Sequence, residues 1–165
     1  MLSTEEKHEI DHELSKSHHK RGACIDALQI VQKYRGHIND EALKDIADYL
    51  DMSQADLDSV ATFYNRIFRK PVGKHVIKIC DSVSCYVMEY EKILQDVQTK
   101  LGILPGQTTQ DRMFTLLTTQ CLGTCDKAPA MMINDDLHRN LNSEKMAEIL
   151  HAYRQQSSED KKRDE

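Results

Sequence analysis

The sequence has no tryptophan and few other aromatic residues, with three phenylalanines and six tyrosines in 165 residues. Nucleic-acid bases stack on clustered aromatic side chains, and this chain offers no such set. Basic residues do not dominate either: 22 lysines and arginines stand against 27 aspartates and glutamates, which gives a net charge of −5. A nucleic-acid-binding domain needs a concentrated basic surface. We therefore expect no nucleic-acid partner.

Long apolar runs are also missing. No stretch approaches the roughly 20 apolar residues that a membrane-spanning helix requires, so we expect no direct membrane insertion. The first residues are acidic and contain no apolar segment, unlike a secretory signal or an arginine-rich transit peptide. These absences predict a cytoplasmic protein, in a reducing compartment where structural disulfides are not expected.

Glycine is scarce, with only six in the chain, and no G-x-G-x-x-G or phosphate-binding loop occurs. Such loops let the backbone approach a dinucleotide or a phosphate closely. The chain is therefore not expected to bind a nucleotide or flavin cofactor by itself. Any chemistry that needs one must depend on a partner.

The first part of the chain has apolar residues at helical spacing. A polar segment over residues 1–20, predicted to be a frayed helix, precedes three predicted helices over residues 21–70. The first of these ends at Gly36, and Asp40 and Ser53 are the predicted N-caps of the other two. Their predicted buried faces are Cys24, Ala27, Leu28, Val31 and Tyr34; Leu43, Ile46, Ala47 and Leu50; and Leu57, Val60, Phe63, Tyr64 and Ile67.

The pattern changes after Gly73. The β-branched run His75–Cys80 predicts a strand, and Met113–Thr119 and Pro129–Ile133 predict two more. Turn residues beginning at Asn134 predict that the third strand returns as a short hairpin.

Helices are predicted around these strands. One lies between the first two strands and ends at Gly102, and another begins at a cap formed by Ser143. The predicted buried face of the former is Val87, Tyr90, Leu94, Val97 and Leu101. We expect an α/β domain over residues 74–154, with helices against a small sheet, and a disordered charged tail over residues 155–165.

Four of the five cysteines form two close pairs, Cys80-x4-Cys85 and Cys121-x3-Cys125. Each pair follows a predicted strand, so the two loops are expected at the same edge of one sheet. Four thiolates from two loops form a closed soft-ligand set, suited to an iron–sulfur cluster or to zinc. Cys24 lies on an apolar helix face and is predicted to be a buried, inert thiol.

Spacing alone leaves three interpretations of these pairs open. Both pairs are compatible with an iron–sulfur cluster. Zinc loops span C-x2-C to C-x4-C, although structural zinc sites favour the x2 form that neither pair uses. A thiol–disulfide enzyme would use C-x-x-C and has no need of a second pair.

Small and hydroxyl-bearing residues flank the four cysteines. Gly123 permits a left-handed backbone and is predicted to bring an amide group close to sulfur. Ser82, Ser84 and Thr124 are predicted to add hydrogen bonds of the kind that tune the reduction potential of a cluster.

The residues around the cysteines add a resemblance to a known family. The series resembles the thioredoxin-like [2Fe–2S] subunit of respiratory complex I, which is the E subunit of bacterial NADH-quinone oxidoreductase. The similarity extends from about Gly22 to Tyr153, with the motifs in the family's order. The motifs are Val60-Ala-Thr-Phe-Tyr64, Phe68-Arg-Lys-Pro-Val-Gly73, Cys80-Asp-Ser-Val-Ser-Cys85, Pro105-Gly-Gln-Thr-Thr109, Cys121-Leu-Gly-Thr-Cys125 and Ala128-Pro-Ala-Met-Met-Ile133.

This resemblance implies a thioredoxin-like [2Fe–2S] ferredoxin domain preceded by a small helical bundle. It implies that Cys80, Cys85, Cys121 and Cys125 ligate one [2Fe–2S] cluster. The chain would then be an electron-transfer subunit that is not catalytic alone. It would dock on the flavoprotein subunit that binds NADH and FMN, beside other peripheral-arm subunits at the inner face of the cell membrane.

Two alternatives accompany this interpretation. The same type of subunit occurs in the diaphorase modules of NAD-linked hydrogenases and formate dehydrogenases. A different class of function is an adaptor module whose two loops are held together by a four-cysteine zinc site.

Overall fold

The structure is a computed structural model that describes residues 1–163, with side chains described as far as Gln156. The chain divides into two compact units, Met1–Pro71 and the remainder from Val72 onward. We call these the N-terminal and C-terminal units. In the described residues, no helix is long and apolar enough to cross a membrane.

The N-terminal unit consists of helices. They are α1 (Thr4–Leu14), a short 3-10 helix (Lys20–Ala23), α2 (Cys24–Arg35), α3 (Asp40–Tyr49) and α4 (Gln54–Phe63). Apolar side chains from all four α-helices form its core, including Ile10, Leu28, Val31, Ile46 and Leu57, each fully buried.

The structure differs from the sequence prediction at the start of the chain. The sequence predicts a polar, frayed segment over residues 1–20, but Leu2 and Ile10 are buried in the core of this unit. Helix α1 also begins with a complete capping box, in which Ser3 and Glu6 each accept a hydrogen bond from the other's backbone N–H. Two apolar residues eight positions apart, Leu2 and Ile10, are too few to show helical periodicity in the sequence.

The caps of the next helices are close to those predicted. Helix α2 ends at Gly36, which adopts a φ of +79°. Ser53 accepts a hydrogen bond from the N–H of Asp56 at 3.1 Å, as its predicted capping role requires. The cap of α3, however, is Asn39 and not Asp40, because the Asn39 side chain accepts the N–H of Ala42 at 2.8 Å.

Three aromatic side chains on the predicted buried faces are exposed. Phe63, Tyr64 and Tyr34 expose 80%, 42% and 47% of their surface. Because α4 ends at Phe63, the helical periodicity on which the prediction depends does not extend to Tyr64. Leu57 and Ile67 are buried as predicted.

The C-terminal unit contains one four-stranded sheet, in the order β2-β1-β3-β4. Strands β1 and β2 run parallel, whereas β3 is antiparallel to β1 and β4 to β3. The strands are β1 (His75–Cys80), β2 (Phe114–Thr119), β3 (Met131–Ile133) and β4 (Asp136–His138). All three predicted strands and the hairpin return are therefore confirmed. The core of the unit includes Ile79, Val97, Phe114, Leu116 and Met146.

The helix predicted between β1 and β2 is divided into α5 (Val83–Val87) and α6 (Tyr90–Leu101). Glu89 lies between them with a φ of +60°, a conformation that interrupts a right-handed helix. Val87, predicted to be buried, is 71% exposed, whereas Val97 is fully buried as predicted.

The last helix, α7, covers Ser143–Arg163. Its cap is Asn142, whose side chain accepts the N–H of Lys145 at 2.8 Å, one residue before the predicted cap Ser143. The prediction of a disordered tail from residue 155 is wrong as far as Arg163, because these residues belong to α7. That segment has no proline or glycine and is rich in glutamine, lysine and arginine, which are good helix formers. Residues 164–165 of the predicted tail lie outside the described residues.

Candidate metal centre

Two parallel strands carry the two cysteine loops to the same edge of the sheet. Cys80 ends β1 and lies opposite Thr119, which ends β2, two residues before Cys121. The ladder continues beyond the strands, since the N–H of Asp81 donates to the carbonyl oxygen of Thr119 at 3.1 Å. The prediction that both loops leave one sheet edge is confirmed.

The first pair of cysteines is buried. Cys80 and Cys85 are 2% and 3% exposed and pack against Ala128 and Ala130. Cys85 lies on α5, the short helix that follows the first loop. Burial, and then the hydrogen bond with Cys80, raises the pKa of the Cys85 thiol to about 11. A thiolate at this position needs a nearby positive charge, as a metal ion supplies.

One further group at this position, the backbone of Ala130, has no signal in the sequence. Its hydrogen bond to Cys85 acts to lower the pKa of that thiol and so favours the thiolate, in opposition to burial. The carbonyl oxygen of the same residue accepts the N–H of Cys80 at 3.1 Å. Backbone groups of this kind belong to every residue type, so only the fold reveals which of them meets sulfur.

The second pair of cysteines is exposed. The Sγ atoms of Cys121 and Cys125 are 3.4 Å apart. Two thiolates on one tetrahedral metal, each with a metal–sulfur bond of about 2.3 Å, would have sulfurs about 3.8 Å apart. The pair is therefore close to the separation that a shared metal atom requires.

Gly123 shapes this second loop. Its φ is +78°, a conformation that favours glycine, and its N–H lies 3.4 Å from the Sγ of Cys121. The prediction that this glycine brings an amide group close to sulfur is confirmed. The predicted hydrogen bonds from Ser82 and Ser84 to sulfur stay predictions.

The two pairs interact electrostatically, because Cys125 also raises the pKa of Cys85. In the part of the chain that the structure describes, no three histidine, cysteine, aspartate or glutamate side chains gather around a single point as they would for one metal ion. The donor set is instead two thiol pairs at one sheet edge. A [2Fe–2S] cluster has two iron atoms and takes four cysteine ligands, so the residues present fit this group.

Comparison with known proteins agrees with this donor set. The family model described as thioredoxin-like [2Fe–2S] ferredoxin matches residues 10–154. The chain belongs to this family. As a thioredoxin-like [2Fe–2S] ferredoxin it carries one [2Fe–2S] cluster, which favours the iron–sulfur interpretation of the spacing over zinc and dithiol chemistry.

Individual relatives are similar over nearly the whole chain. The E subunit of the NADH-quinone oxidoreductase of Escherichia coli (strain K12) is 50% identical over 153 residues, 93% of this chain and 92% of that protein. The protein of the same name from Pseudomonas aeruginosa is 47% identical over 153 residues, with the same two coverages. Among solved structures, a crystal structure of an NAD+-reducing [NiFe]-hydrogenase in the air-oxidized state matches with a TM-score of 0.69. At 22% identity over 81% of this chain and 23% of that chain, it supports the fold alone.

Cys24, the fifth cysteine, belongs to the N-terminal unit. It is buried on α2 beside Ala27, Leu28 and Val31, as predicted for an inert thiol.

Proposed function

We propose that this protein is the electron-transfer subunit of an NADH-quinone oxidoreductase, and that Cys80, Cys85, Cys121 and Cys125 ligate its one [2Fe–2S] cluster. The observation that carries the proposal is the meeting of two cysteine pairs at the ends of in-register parallel strands. Relatives named as the E subunit of that complex are similar to the chain over 93% of its length, which supports the assignment.

Each pair of cysteines serves one iron atom in this proposal. Cys80 and Cys85 would provide the buried thiolates, and Cys121 and Cys125 the exposed ones. When bound, the cluster accepts and releases a single electron. The amide of Gly123 and the backbone of Ala130 direct hydrogen bonds at two of the ligand sulfurs, and the apolar packing around Cys80 and Cys85 keeps water from that side.

The proposed partner is the flavoprotein subunit that binds NADH and FMN. This chain has no nucleotide-binding loop, so its electrons must arrive from another protein. Large apolar side chains lie exposed on and just after α5, the helix that carries Cys85: Val83, Tyr86, Val87 and Met88 expose between 54% and 76% of their surface. Exposed apolar patches mark sites of protein association, so we propose that the flavoprotein covers this helix.

Other peripheral-arm subunits complete the proposed complex. Through them the protein would lie at the inner face of the cell membrane, and it would act as an oxidoreductase only as part of the assembly. A second candidate is the equivalent subunit of an NAD-linked hydrogenase, a class of enzyme in which a solved structure has a similar fold. The corresponding module of a formate dehydrogenase has the same chemistry.

The ligand assignment is tested by spectra of the anaerobically purified chain before and after dithionite. We expect a brown protein with two iron atoms per chain that bleaches on reduction and gives a spin-half EPR signal. Cys80→Ala and Cys121→Ala should lose the colour and the iron, because the four thiolates act as one ligand set. Cys24→Ala is the matched control and should keep both. A colourless wild-type protein that holds zinc, or a bleached Cys24→Ala variant, would contradict the assignment.

The partner is tested by adding NADH to the chain with and without the flavoprotein. We expect NADH to reduce the cluster only when the flavoprotein is present, and Tyr86→Asp on the exposed face of α5 to weaken the complex. NADH oxidation by the isolated chain would refute the proposal that the flavoprotein oxidises NADH and passes the electrons to this chain.

A further inference from the structure

The hydroxyl of Thr124 is a buried donor in the second ligand loop. Its Oγ1 atom is inaccessible to solvent and has no hydrogen-bond partner in the described part of the chain. The backbone carbonyl oxygen of the same residue accepts the N–H of Lys127 at 3.0 Å. The side-chain hydroxyl has no acceptor among the described residues.

Such a group is unusual in a folded protein. Leaving a buried hydroxyl unsatisfied costs about 1–3 kcal/mol, and the large majority of buried side-chain polar atoms have a partner. Two other buried side-chain oxygens without a hydrogen bond occur among the described residues, on Asp45 and Asp96. Both are carboxylates and accept hydrogen bonds, whereas Thr124 can donate one.

The position of the hydroxyl indicates its acceptor. Thr124 lies between Gly123 and Cys125, inside the loop that carries two of the proposed ligands. The side chain of the nearby Leu122 packs against the buried cluster of Cys80, Cys85, Ala128 and Ala130, so this loop faces a cluster of sulfur and apolar groups. The group that the family binds here brings negatively charged sulfur atoms, which accept hydrogen bonds.

We infer that the Thr124 hydroxyl donates a hydrogen bond to a sulfur atom of the bound cluster and thereby raises its reduction potential. The inference depends on the proposed ligand set and adds a positioning residue to it. A hydrogen bond strengthens as the charge on its acceptor grows. Because reduction adds one negative charge, the hydroxyl stabilises the reduced state more than the oxidised state.

The test compares the midpoint potentials of Thr124→Val, Thr124→Ser and wild type, each as the full chain with its cluster. Valine has nearly the shape of threonine without the hydroxyl, and serine keeps the hydroxyl. We expect valine to shift the reduction equilibrium about tenfold toward the oxidised form, equivalent to about 59 mV for a one-electron couple. Serine should keep the wild-type potential. Thr99→Val is the matched control, because the Thr99 hydroxyl is exposed and bonds to the Gln95 carbonyl oxygen at 2.8 Å.

The sign of the shift separates this role from a merely structural one. A loosened loop would admit water, which stabilises the more charged reduced state and raises the potential, whereas loss of the donor lowers it. An unchanged or raised potential in a Thr124→Val protein with full iron content would overturn the inference and leave the proposed ligands intact. A wild-type protein without any cluster would instead overturn the proposed function.

A second measurement needs no variant and decides the matter if Thr124→Val fails to hold iron. In a crystal structure of the wild-type protein with its cluster, we expect Thr124 Oγ1 within hydrogen-bond reach of a cluster sulfur. A hydroxyl that lies beyond the reach of every sulfur, or that bonds to a protein oxygen, would refute the inference.

Discussion

The hydroxyl of Tyr153 donates a hydrogen bond to Oδ2 of Asp136 at 2.6 Å and so joins α7 to β4. The Tyr153 ring also meets the rings of His75 and His138 edge-on, with centroids 5.0 and 6.0 Å away. Strand β4 has only three residues and lies at the edge of the sheet, where a strand has one neighbour. Contacts from α7 therefore help to hold this edge in place.

We expect Tyr153→Phe to lower the free energy of unfolding of the C-terminal unit by about 1 kcal/mol, because it removes the hydrogen bond and keeps the ring. Urea unfolding followed through the visible absorbance of the cluster would report on this unit. Tyr49→Phe is the control: the Tyr49 hydroxyl donates to Asp11 at 2.6 Å in the N-terminal unit. If both variants shifted the cluster transition equally, the effect would not be local.

The hydrogen bond between Tyr153 and Asp136 also predicts that the stability of the C-terminal unit depends on pH. Burial, and then the hydrogen bond to Asp136, raises the pKa of Tyr153 to about 12 from an ordinary value of 10.0. A raised pKa means that the contribution to stability is complete below pH 10 and is lost between about pH 10 and 12. The stability difference between wild type and Tyr153→Phe should therefore shrink over this range in urea titrations. A difference that stayed constant would contradict the assignment.

Glu6 should stabilise the N-terminal unit at neutral pH and contribute less to its stability in acid. Its carboxylate, 3% exposed, accepts two hydrogen bonds from Arg35, both 2.7 Å long. These bonds, together with one from the backbone of Ser3, hold its pKa below 4.5, against the opposing effect of burial. A lowered pKa contributes stability above about pH 4.5, and that contribution is lost as the pH falls through the folded-state value.

We expect Glu6→Gln to cost about 2 kcal/mol at pH 7 and clearly less at pH 4, as measured by urea unfolding followed by far-ultraviolet circular dichroism. Glu5→Gln, one position earlier on the exposed face of α1, is the matched control and should change little. An equal loss at both pH values would show that the glutamine acts through packing and not through charge.

The cysteines should differ in their reactivity once the cluster has been removed by a chelator. Iodoacetamide needs an accessible thiolate, so the exposed Cys121 and Cys125 should react first. Cys80, Cys85 and Cys24 are buried and should react at least about tenfold more slowly. Mass spectrometry of peptides at successive times would give the order. Equal rates for Cys85 and Cys125 would mean that the buried half of the site opens when the metal leaves.

Gly73 should not tolerate a side chain. A Cβ atom there would lie 2.9 Å from the backbone N and C atoms of Phe114, and backbone at the start of β2 cannot move aside easily. We expect Gly73→Ala to cost about 2 kcal/mol by overpacking. Gly36→Ala, which meets open space but has a φ of +79°, should cost about 1 kcal/mol in the other unit. A neutral Gly73→Ala would indicate that β2 shifts to make room.

The strands, and the position of both cysteine loops at one edge of the sheet, were predictable because their sequence signals are local. His75–Cys80 contains three β-branched residues, Val76, Ile77 and Ile79, and all six residues of the run are buried in a central strand. Each cysteine pair follows such a run directly, so parallel pairing of the two strands is enough to bring the loops together.

The sequence predictions that were wrong concern where a helix ends and whether another element packs against its apolar residues. Periodicity marks Phe63, Tyr64 and Val87 as apolar positions, yet nothing in the sequence states whether another element packs on them. The break at Glu89 requires a positive φ in a residue type that seldom adopts one, so the sequence gives no signal for it. The buried hydroxyl of Thr124 depends in the same way on the folded loop.

Strand β1 has neighbours on both edges and is buried along its entire length, including His75 and Lys78. It therefore offers no surface position at which a neutral substitution can accumulate. We expect a saturation library of the chain to tolerate changes on the outer face of α6 and to reject most changes between His75 and Cys80. In this protein the segment that leads to the first ligand should diverge more slowly than the exposed face of α6.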